Sequence, residues 1–359
     1  MKQSFYAGKI VNGVLYYSDS LCNALCSIDL KTNKLKYVRA FPGEEALVSN
    51  QHIKCIEYDN KLFFIPNRGK YLHVLNERDG EIESFEINHC DDSLFVNSGA
   101  VVIYDDLWIF PGRVDRQIVK FNLKNYNYSF KKDLRSALGN IKSDGEQAIW
   151  KIACVNNKII AAVVGTSIIL EYYPQKDILR TIDSGIDKCE SLFVYQDTIF
   201  LFTFDSRVYK WDPDTNQSVE AVIEGENDNS GAYMPITGLY GELYIAPSTG
   251  ETFYKFNPIS NCFEKLFDEM KNRNRLDGEV NYTDYDYWNK EVFVFPRNGN
   301  KIVIINNNCV KTLDELYLED LDYEKKRWKA INKRLKSNKI VYENSLYDLE
   351  VFIRTLERS

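Results

Sequence analysis

The sequence has few of the residues and runs from which metal, membrane and nucleic-acid sites are built. Only 3 His occur in 359 residues, and neither His-x-Glu nor His-Glu-x-x-His is present. No apolar run approaches the roughly 18 residues that span a bilayer, and residues 1–6 lack a signal-peptide pattern. The net charge of −7 offers no basic excess for general phosphate binding. We therefore expect no metal, no membrane span and no nucleic-acid partner.

Motifs for common cofactors and hydrolases are also missing. The chain has no Walker A loop, no Gly-x-Gly-x-x-Gly after a strand and no Gly-x-Ser-x-Gly elbow, so no cofactor is expected. Residues 212–216 begin like a calcium loop but lack its sixth-position Gly and final Glu, which favours a plain hairpin turn. The 8 Cys are scattered through apolar runs, which indicates reduced thiols and a cytoplasmic protein. The Lys-, Asn-, Ile- and Tyr-rich composition is typical of an AT-rich bacterial genome.

What the sequence does contain is a repeat, in which a polar turn is followed by an apolar strand. The turn is Asn/Asp-rich and suits a tight hairpin, and a third strand, a second polar turn and a fourth strand follow it. The strand recurs at spacings between 40 and 52 residues, at Leu15, Leu62, Leu107, Ile159, Ile199, Leu243 and Val292. Four antiparallel strands in each of seven repeats predict an all-β, seven-bladed β-propeller of four-stranded antiparallel blades.

Two propeller families resemble parts of this pattern. Residues 208–212, Val-Tyr-Lys-Trp-Asp, look like the third strand of a WD40 blade, and the overall period looks more like kelch. The Gly-His pair of WD40 and the Gly-Gly pair of kelch are missing, so the resemblance is one of architecture and carries no active site across. Pro66, Pro111, Pro247 and Pro296 follow second strands, and we expect each to end its strand because Pro lacks the backbone donor.

The chain changes character after residue 313. We predict a propeller over residues 1–313 and a short C-terminal helical extension over 314–359, packed on the propeller. Residues 319–336 have apolar residues at helical spacing, acids at the start and a basic polar face, and residues 345–348 resemble a capping box that opens a second helix. An alternative is that the extension docks a partner or an anionic membrane surface, or mediates self-association.

Loops that surround one end of a propeller channel are the default ligand surface. On this chain they carry recurring arginines, which can hold carboxylate, phosphate or sulfate groups through paired donors if they converge. They can equally point into water or pair with neighbouring acids. The candidate ligand-binding residues are Arg68, Arg113, Arg116, Arg207, Arg297 and Asn298, with Trp150 and Tyr233 as aromatic surfaces near the same face.

Catalytic candidates on this face are few. His52 and His89 fall in predicted inter-blade loops, where either can form an acid–base pair with a carboxylate such as Glu146. A complete propeller without a catalytic signature favours a non-catalytic scaffold that holds a protein or carbohydrate partner on the channel-mouth face. The alternative is a lyase or hydrolase that acts on an anionic small molecule or saccharide there. The sequence does not decide whether the chain is an enzyme, nor its oligomeric state.

Overall fold

A computed structural model describes residues 5–46, 50–88, 97–144, 146–224, 233–247, 252–268, 282–296, 302–306, 309–313 and 317–318. These residues form an all-β propeller of four-stranded antiparallel blades, with one short helix, α1 (Arg135–Leu138), among them. The predicted propeller class is confirmed. Within these ranges no helix is long and apolar enough to cross a bilayer. The predicted C-terminal helices lie outside the described residues.

Strands follow one another along the chain in runs of four. Their bounds are β1 Phe5–Val11, β2 Val14–Asp19, β3 Leu25–Asp29, β4 Lys34–Arg39, β5 His52–Tyr58, β6 Lys61–Pro66, β7 Tyr71–Asn76, β8 Ile82–Glu86, β9 Asn97–Ile103, β10 Asp106–Pro111, β11 Gln117–Asn122, β12 Tyr128–Asp133, β13 Ile149–Val155, β14 Lys158–Val163, β15 Ile168–Tyr173, β16 Ile178–Asp183, β17 Cys189–Tyr195, β18 Thr198–Thr203, β19 Val208–Asp212, β20 Gln217–Ile223, β21 Tyr233–Thr237, β22 Leu243–Pro247, β23 Tyr254–Asn257, β24 Cys262–Lys265, β25 Phe267–Asp268, β26 Tyr282–Trp288, β27 Glu291–Pro296, β28 Val303–Asn306, β29 Cys309–Thr312 and β30 Tyr317–Leu318.

Local chemistry explains where the strands turn and stop. Five hairpins between a first and a second strand have positive φ at both turn residues, as a type I′ turn requires; they are Asn12-Gly13, Asp59-Asn60, Asn156-Asn157, Gln196-Asp197 and Asn289-Lys290. Asn and Asp tolerate this conformation best among residues with a side chain. Each of the four recurring prolines is the last residue of its strand, as predicted.

Outer strands are joined from blade to blade by parallel pairing. The end of β20 pairs in parallel with β24, β25 pairs with β29, and β30 pairs with β4. In each case the chain leaving one blade adds backbone partners to the outer edge of another, which covers an edge that would otherwise invite aggregation. The described strands therefore form five sheets of four or five strands and one sheet of eight, β17–β24. The predicted count of seven blades is not fixed by these sheets, because two four-strand runs share the largest one.

Apolar clusters between consecutive blades form the core. One cluster packs Phe63 and Ile65 of β6 against Leu107 and Ile109 of β10, and similar clusters follow around the propeller. Another cluster joins the first and last described sheets, since it contains both Phe5 of β1 and Phe295 of β27. The rings of these two residues lie 6.5 Å apart. The propeller is therefore closed by side-chain packing between its first and last blades.

Candidate functional site

A central channel is lined by the first strand of each blade. These inner strands are β1, β5, β9, β13, β17, β21 and β26. Contacts join β17 to β13, β13 to β9, β9 to β5, β5 to β1, β1 to β26 and β26 to β21. We call the end where the inner strands begin the mouth face. It is formed by the loops before the inner strands and by the loops between second and third strands.

A β-bulge recurs near the start of the inner strands. The register slips close to the first residue of β1, β5, β9, β13, β17 and β26. A bulge leaves one residue unpaired and redirects its side chain. In β13 the slip frees Trp150 and Lys151, and in β17 it frees Glu190. The channel mouth is thus surrounded by residues that the sheet ladders do not constrain.

Four ionisable side chains gather at this level of the channel, and we call them the channel cluster: Lys54, Lys151, Glu190 and Asp284. The two lysines and Asp284 each stand four residues before the end of their inner strands, and Glu190 stands five before the end of β17. Lys54, Lys151 and Asp284 are half-buried, whereas Glu190 is only 6% exposed.

Partners for these charges are scarce. The Lys54 ammonium donates to the Ala100 carbonyl at 3.4 Å, and Asp284 accepts from the Tyr285 backbone N–H at 3.0 Å. Oε2 of Glu190 is buried without a hydrogen-bond partner in the described part of the chain. Lys151 has neither a hydrogen bond nor an ion pair to any described residue. Buried polar groups are normally paired, so Oε2 of Glu190 and the half-buried Lys151 ammonium are the two groups of the cluster most open to a further partner.

Burial shifts the pKa values of three members of this cluster. It raises the pKa of Glu190 to about 7, against a smaller opposing effect of the Lys151 charge. It raises the pKa of Asp284 to about 6, with Lys54 opposing the shift. It also lowers the pKa of Lys151, although Glu190 and Asp284 both attract its charge. Each of these three pKa values is therefore affected by an oppositely charged member of the cluster.

A fifth and a sixth charge lie deeper in the channel and are paired with each other. The Lys9 ammonium of β1 donates to Oδ1 of Asp286 at 2.8 Å, and Asp286 Oδ2 accepts from the Ile10 backbone N–H at 2.6 Å. Lys9 also lines a cavity of about 320 Å³, together with Lys54 and parts of β5 and β9. The cavity thus lies beside the channel cluster.

Aromatic side chains form a platform on the mouth face. Trp150 and Phe204 make an edge-to-face pair with ring centroids 5.4 Å apart, yet they are 39% and 41% exposed. The loop that carries Phe204 is held in shape, because the Thr203 hydroxyl donates to the Asp205 carboxylate at 2.6 Å. Phe204 also donates its backbone N–H to the Lys188 carbonyl at 3.1 Å.

The described candidate arginines contact nearby carboxylates or loop backbone. Arg113 is buried and donates from Nε and Nη2 to the Asp115 carboxylate at 3.2 Å. Nε of Arg116 lies 3.8 Å from the same carboxylate, and burial lowers the pKa of this guanidinium. Arg207 is exposed and lies 3.8 Å from Asp205. Half-buried Arg68 donates its backbone N–H to the Asn50 carbonyl at 3.3 Å. Arg297 and Asn298 lie outside the described residues.

His52 is the first residue of β5 rather than a loop residue as predicted, and it is fully buried. Its Nδ1 lies 2.9 Å from Ser18 Oγ and its Nε2 lies 2.9 Å from His73 Nδ1. His73 Nε2 lies 3.0 Å from the Pro42 carbonyl, which can only accept. With both rings neutral, His73 Nε2–H therefore donates to the Pro42 carbonyl, His52 Nε2–H donates to His73 Nδ1, and the Ser18 hydroxyl donates to His52 Nδ1. Burial lowers the pKa of His73 to about 4 and that of His52 well below its usual value. This chain of hydrogen bonds joins two blades, and both rings are buried.

The remaining candidates are divided between surface and core. Glu146 is exposed, and the Ser143 backbone N–H and Lys142 lower the pKa of its carboxyl, which is the wrong direction for a general acid at neutral pH. Tyr233 is 2% exposed and packs edge-to-face on Tyr254, so it is a packing residue. His89 lies outside the described residues. Among the ranges that are described, no three His, Cys, Asp or Glu residues are placed to hold a metal ion.

Comparison with known proteins defines this chain as a β-propeller and goes no further. No family model and no curated protein matches it. Solved structures do: virginiamycin B lyase from Staphylococcus aureus, in a catalytically inactive form with quinupristin, is 11% identical, with a TM-score of 0.58 over 82% of this chain and 92% of that one.

Two further structures have the same fold. The extracellular domain of the putative one component system BT4673 from B. thetaiotaomicron is 12% identical, with a TM-score of 0.58 over 84% of this chain and 38% of that one. Hsv2 from Kluyveromyces lactis has a TM-score of 0.52 at 11% identity, over 86% of this chain and 98% of that one. At such identities the similarity shows the fold alone.

Proposed function

We propose that the protein is a non-catalytic binding module that holds a protein or carbohydrate partner on its mouth face. The observation that carries this proposal is the exposed Trp150–Phe204 pair. Large aromatic rings that are partly exposed and fixed in position are typical anchors of binding surfaces, because they bury much apolar area at little cost in side-chain entropy.

Charges beside the platform supply polar contacts. Asp205 and Arg207 lie on the same loop as Phe204, and both are exposed. Among structures of this fold, one is a lyase with quinupristin and another is the extracellular domain of a putative sensor. Both activities begin with the binding of a ligand, which a propeller can provide through its loops.

Trp150→Ala tests the proposal, with Tyr240→Ala as the matched control. Tyr240 is 73% exposed but lies in the turn between β21 and β22, on the face opposite the mouth. A glycan array and a pull-down from the native host identify a partner, whose affinity is then measured for each variant. We expect Trp150→Ala to weaken binding at least about tenfold, the loss of about 1.4 kcal/mol typical of an anchor residue, and Tyr240→Ala to change nothing. Loss in Tyr240→Ala alone would place the binding surface on the other face.

A second candidate function is that of a lyase or hydrolase acting on an anionic small molecule or saccharide. It is favoured by the directions of two pKa shifts: burial raises the pKa of Glu190 to about 7 and lowers the pKa of Lys151, as suits an acid and a base in one site. Turnover of uronic-acid glycosides or of lactones, abolished in Lys151→Met and Glu190→Gln, would establish it. A partner bound without turnover favours the binding module.

We further propose seven blades of a kelch- or WD40-like kind in a cytoplasmic, bacterial protein. The support for the count is that the runs β17–β20 and β21–β24 each make a complete antiparallel set, and the parallel pairing between them repeats at β25 and β30. Buried thiols such as Cys55 and Cys189, which form no disulfide among the described residues, suit a reducing compartment. An end-on electron-microscopy view counts the blades directly.

A further inference from the structure

The charges of the channel cluster are separated by sign around the ring. The lysines stand on β5 and β13, and the carboxyl groups stand on β17 and β26. Lys9 and Asp286 already neutralise each other in a 2.8 Å ion pair. The four cluster members make no ion pair with one another among the described residues. The channel cluster therefore has a positive side on β5 and β13 and a negative side on β17 and β26.

We propose that the channel binds a small zwitterion, a molecule with one carboxylate and one ammonium group such as a free amino acid. Its carboxylate would lie against Lys54 and Lys151, and its ammonium group against Glu190 and Asp284. This site is separate from the aromatic platform and does not depend on the partner proposed for the mouth face.

Charge complementarity selects a zwitterion over a simple ion. A lone anion satisfies the two lysines but leaves the carboxyl groups unpaired and repels them. A lone cation does the reverse. A ligand with both charges pairs both sides at once and supplies the donor that Oε2 of Glu190 lacks among the described residues.

A cavity adjoins the cluster on the side of Lys54. It measures about 320 Å³, close to the lower end of the range of roughly 300–1,000 Å³ for small-molecule sites. Ala100, Val101 and Val102 form its apolar wall, and Lys9 and Glu57 also line it. Lys151, Glu190 and Asp284 do not line this cavity, so it bounds the site at Lys54 only.

Isothermal titration calorimetry of the full chain tests the proposal with a graded set of probes. Glycine, β-alanine, γ-aminobutyrate and ε-aminocaproate carry the same two charges at increasing separation. Acetate and ethylamine carry one charge each. We expect one member of the amino-acid series to bind at least about tenfold more tightly than either single-charge probe, since each supplies only half of the pairing.

Two variants and one control locate the binding. Lys151→Met and Glu190→Gln should each weaken the best probe at least about tenfold, while Lys188→Met, which removes an exposed lysine just before β17, should leave binding unchanged. Glu190→Gln removes a buried charge and is expected to fold at least as well as the parent, so its loss of affinity is not a loss of structure. A unity stoichiometry with this pattern supports the proposal.

Three results would overturn it. The first is the absence of heat from every amino-acid probe at concentrations up to about 10 mM. The second is acetate or ethylamine binding as tightly as the best zwitterion, which would make the channel a site for a simple ion. The third is equal affinity in Lys151→Met and the parent protein, which would place the binding elsewhere.

Discussion

Replacing Glu190 with Gln should make the protein more stable at alkaline pH. Glu190 is 6% exposed, and its Oε2 has no hydrogen-bond partner among the described residues. Its burial penalises the charged carboxylate, and Lys151 compensates only in part. Gln has nearly the same shape but no charge, so the substitution removes the penalty without opening a cavity.

The size of the effect follows from the pKa of Glu190, which rises from an ordinary 4.5 to about 7 in the folded protein. The folded state therefore binds the proton more tightly than the unfolded state. The stability that this proton provides is complete below pH ~4.5 and is lost as the pH rises through ~7. The difference corresponds to about 3 kcal/mol at pH 8.5. We expect Glu190→Gln to recover about 2–3 kcal/mol there, because the amide must still find partners.

Urea unfolding at pH 8.5 and pH 4.5 measures this difference, with intrinsic Trp fluorescence as the readout. Glu190→Gln should be more stable than the parent at pH 8.5 and nearly equal to it at pH 4.5. Glu146→Gln is the matched control, since Glu146 is exposed and the pKa of its carboxyl is lowered; it should give no gain at either pH. A Glu190→Gln protein less stable than the parent at pH 8.5 would refute the assignment of Glu190 as an uncompensated buried charge.

Three further outcomes are expected from urea unfolding. Phe295→Ala should lower the free energy of unfolding by about 3–5 kcal/mol, because Phe295 is buried at the junction of the first and last blades. Since the pKa of His73 falls to about 4 on folding, its contribution is complete above pH ~6.5 and about 3 kcal/mol is lost as the pH falls to ~4; His73→Gln should lack this dependence. Lys290 has a φ of 63°, so Lys290→Gly should raise stability by up to about 1 kcal/mol, whereas Lys210→Gly, within β19, should lower it.

The scaffold could be predicted from the sequence because each blade repeats the same local chemistry. Asn-rich turns such as Asn156-Asn157 need positive φ at two positions, and few residue types supply it. Prolines such as Pro66 and Pro111 end strands for a reason that does not depend on context. The joining of two four-strand runs into one continuous sheet could not be predicted in this way. It depends on the parallel pairing of β20 with β24, a long-range contact of two short segments.

The site was harder to predict because position along a strand says little about the channel. The sequence predicted candidate residues around the mouth face. Trp150 does lie there, at the start of β13, but Arg113 is buried against Asp115. The channel cluster was missed because a charged residue in a half-buried strand normally faces water. A signal existed: when the inner strands are aligned on their turns, Lys54, Lys151 and Asp284 fall at the same position.

Different residues of each blade pack the core and line the channel, which explains how the channel can carry unpaired charges. Stability comes from apolar clusters between blades, which are built largely from second and third strands such as Phe63 and Phe121. The first residues of the inner strands, such as Phe5 and Ile149, pack in these clusters. Lys151 and Glu190, at the bulges, belong to none of them, so each of these charges costs mainly its own desolvation. A closed ring with several such positions can place groups of opposite sign across a fixed gap. Residues that lower stability without serving the core are kept for function, and in this chain they lie at the bulges rather than in the loops.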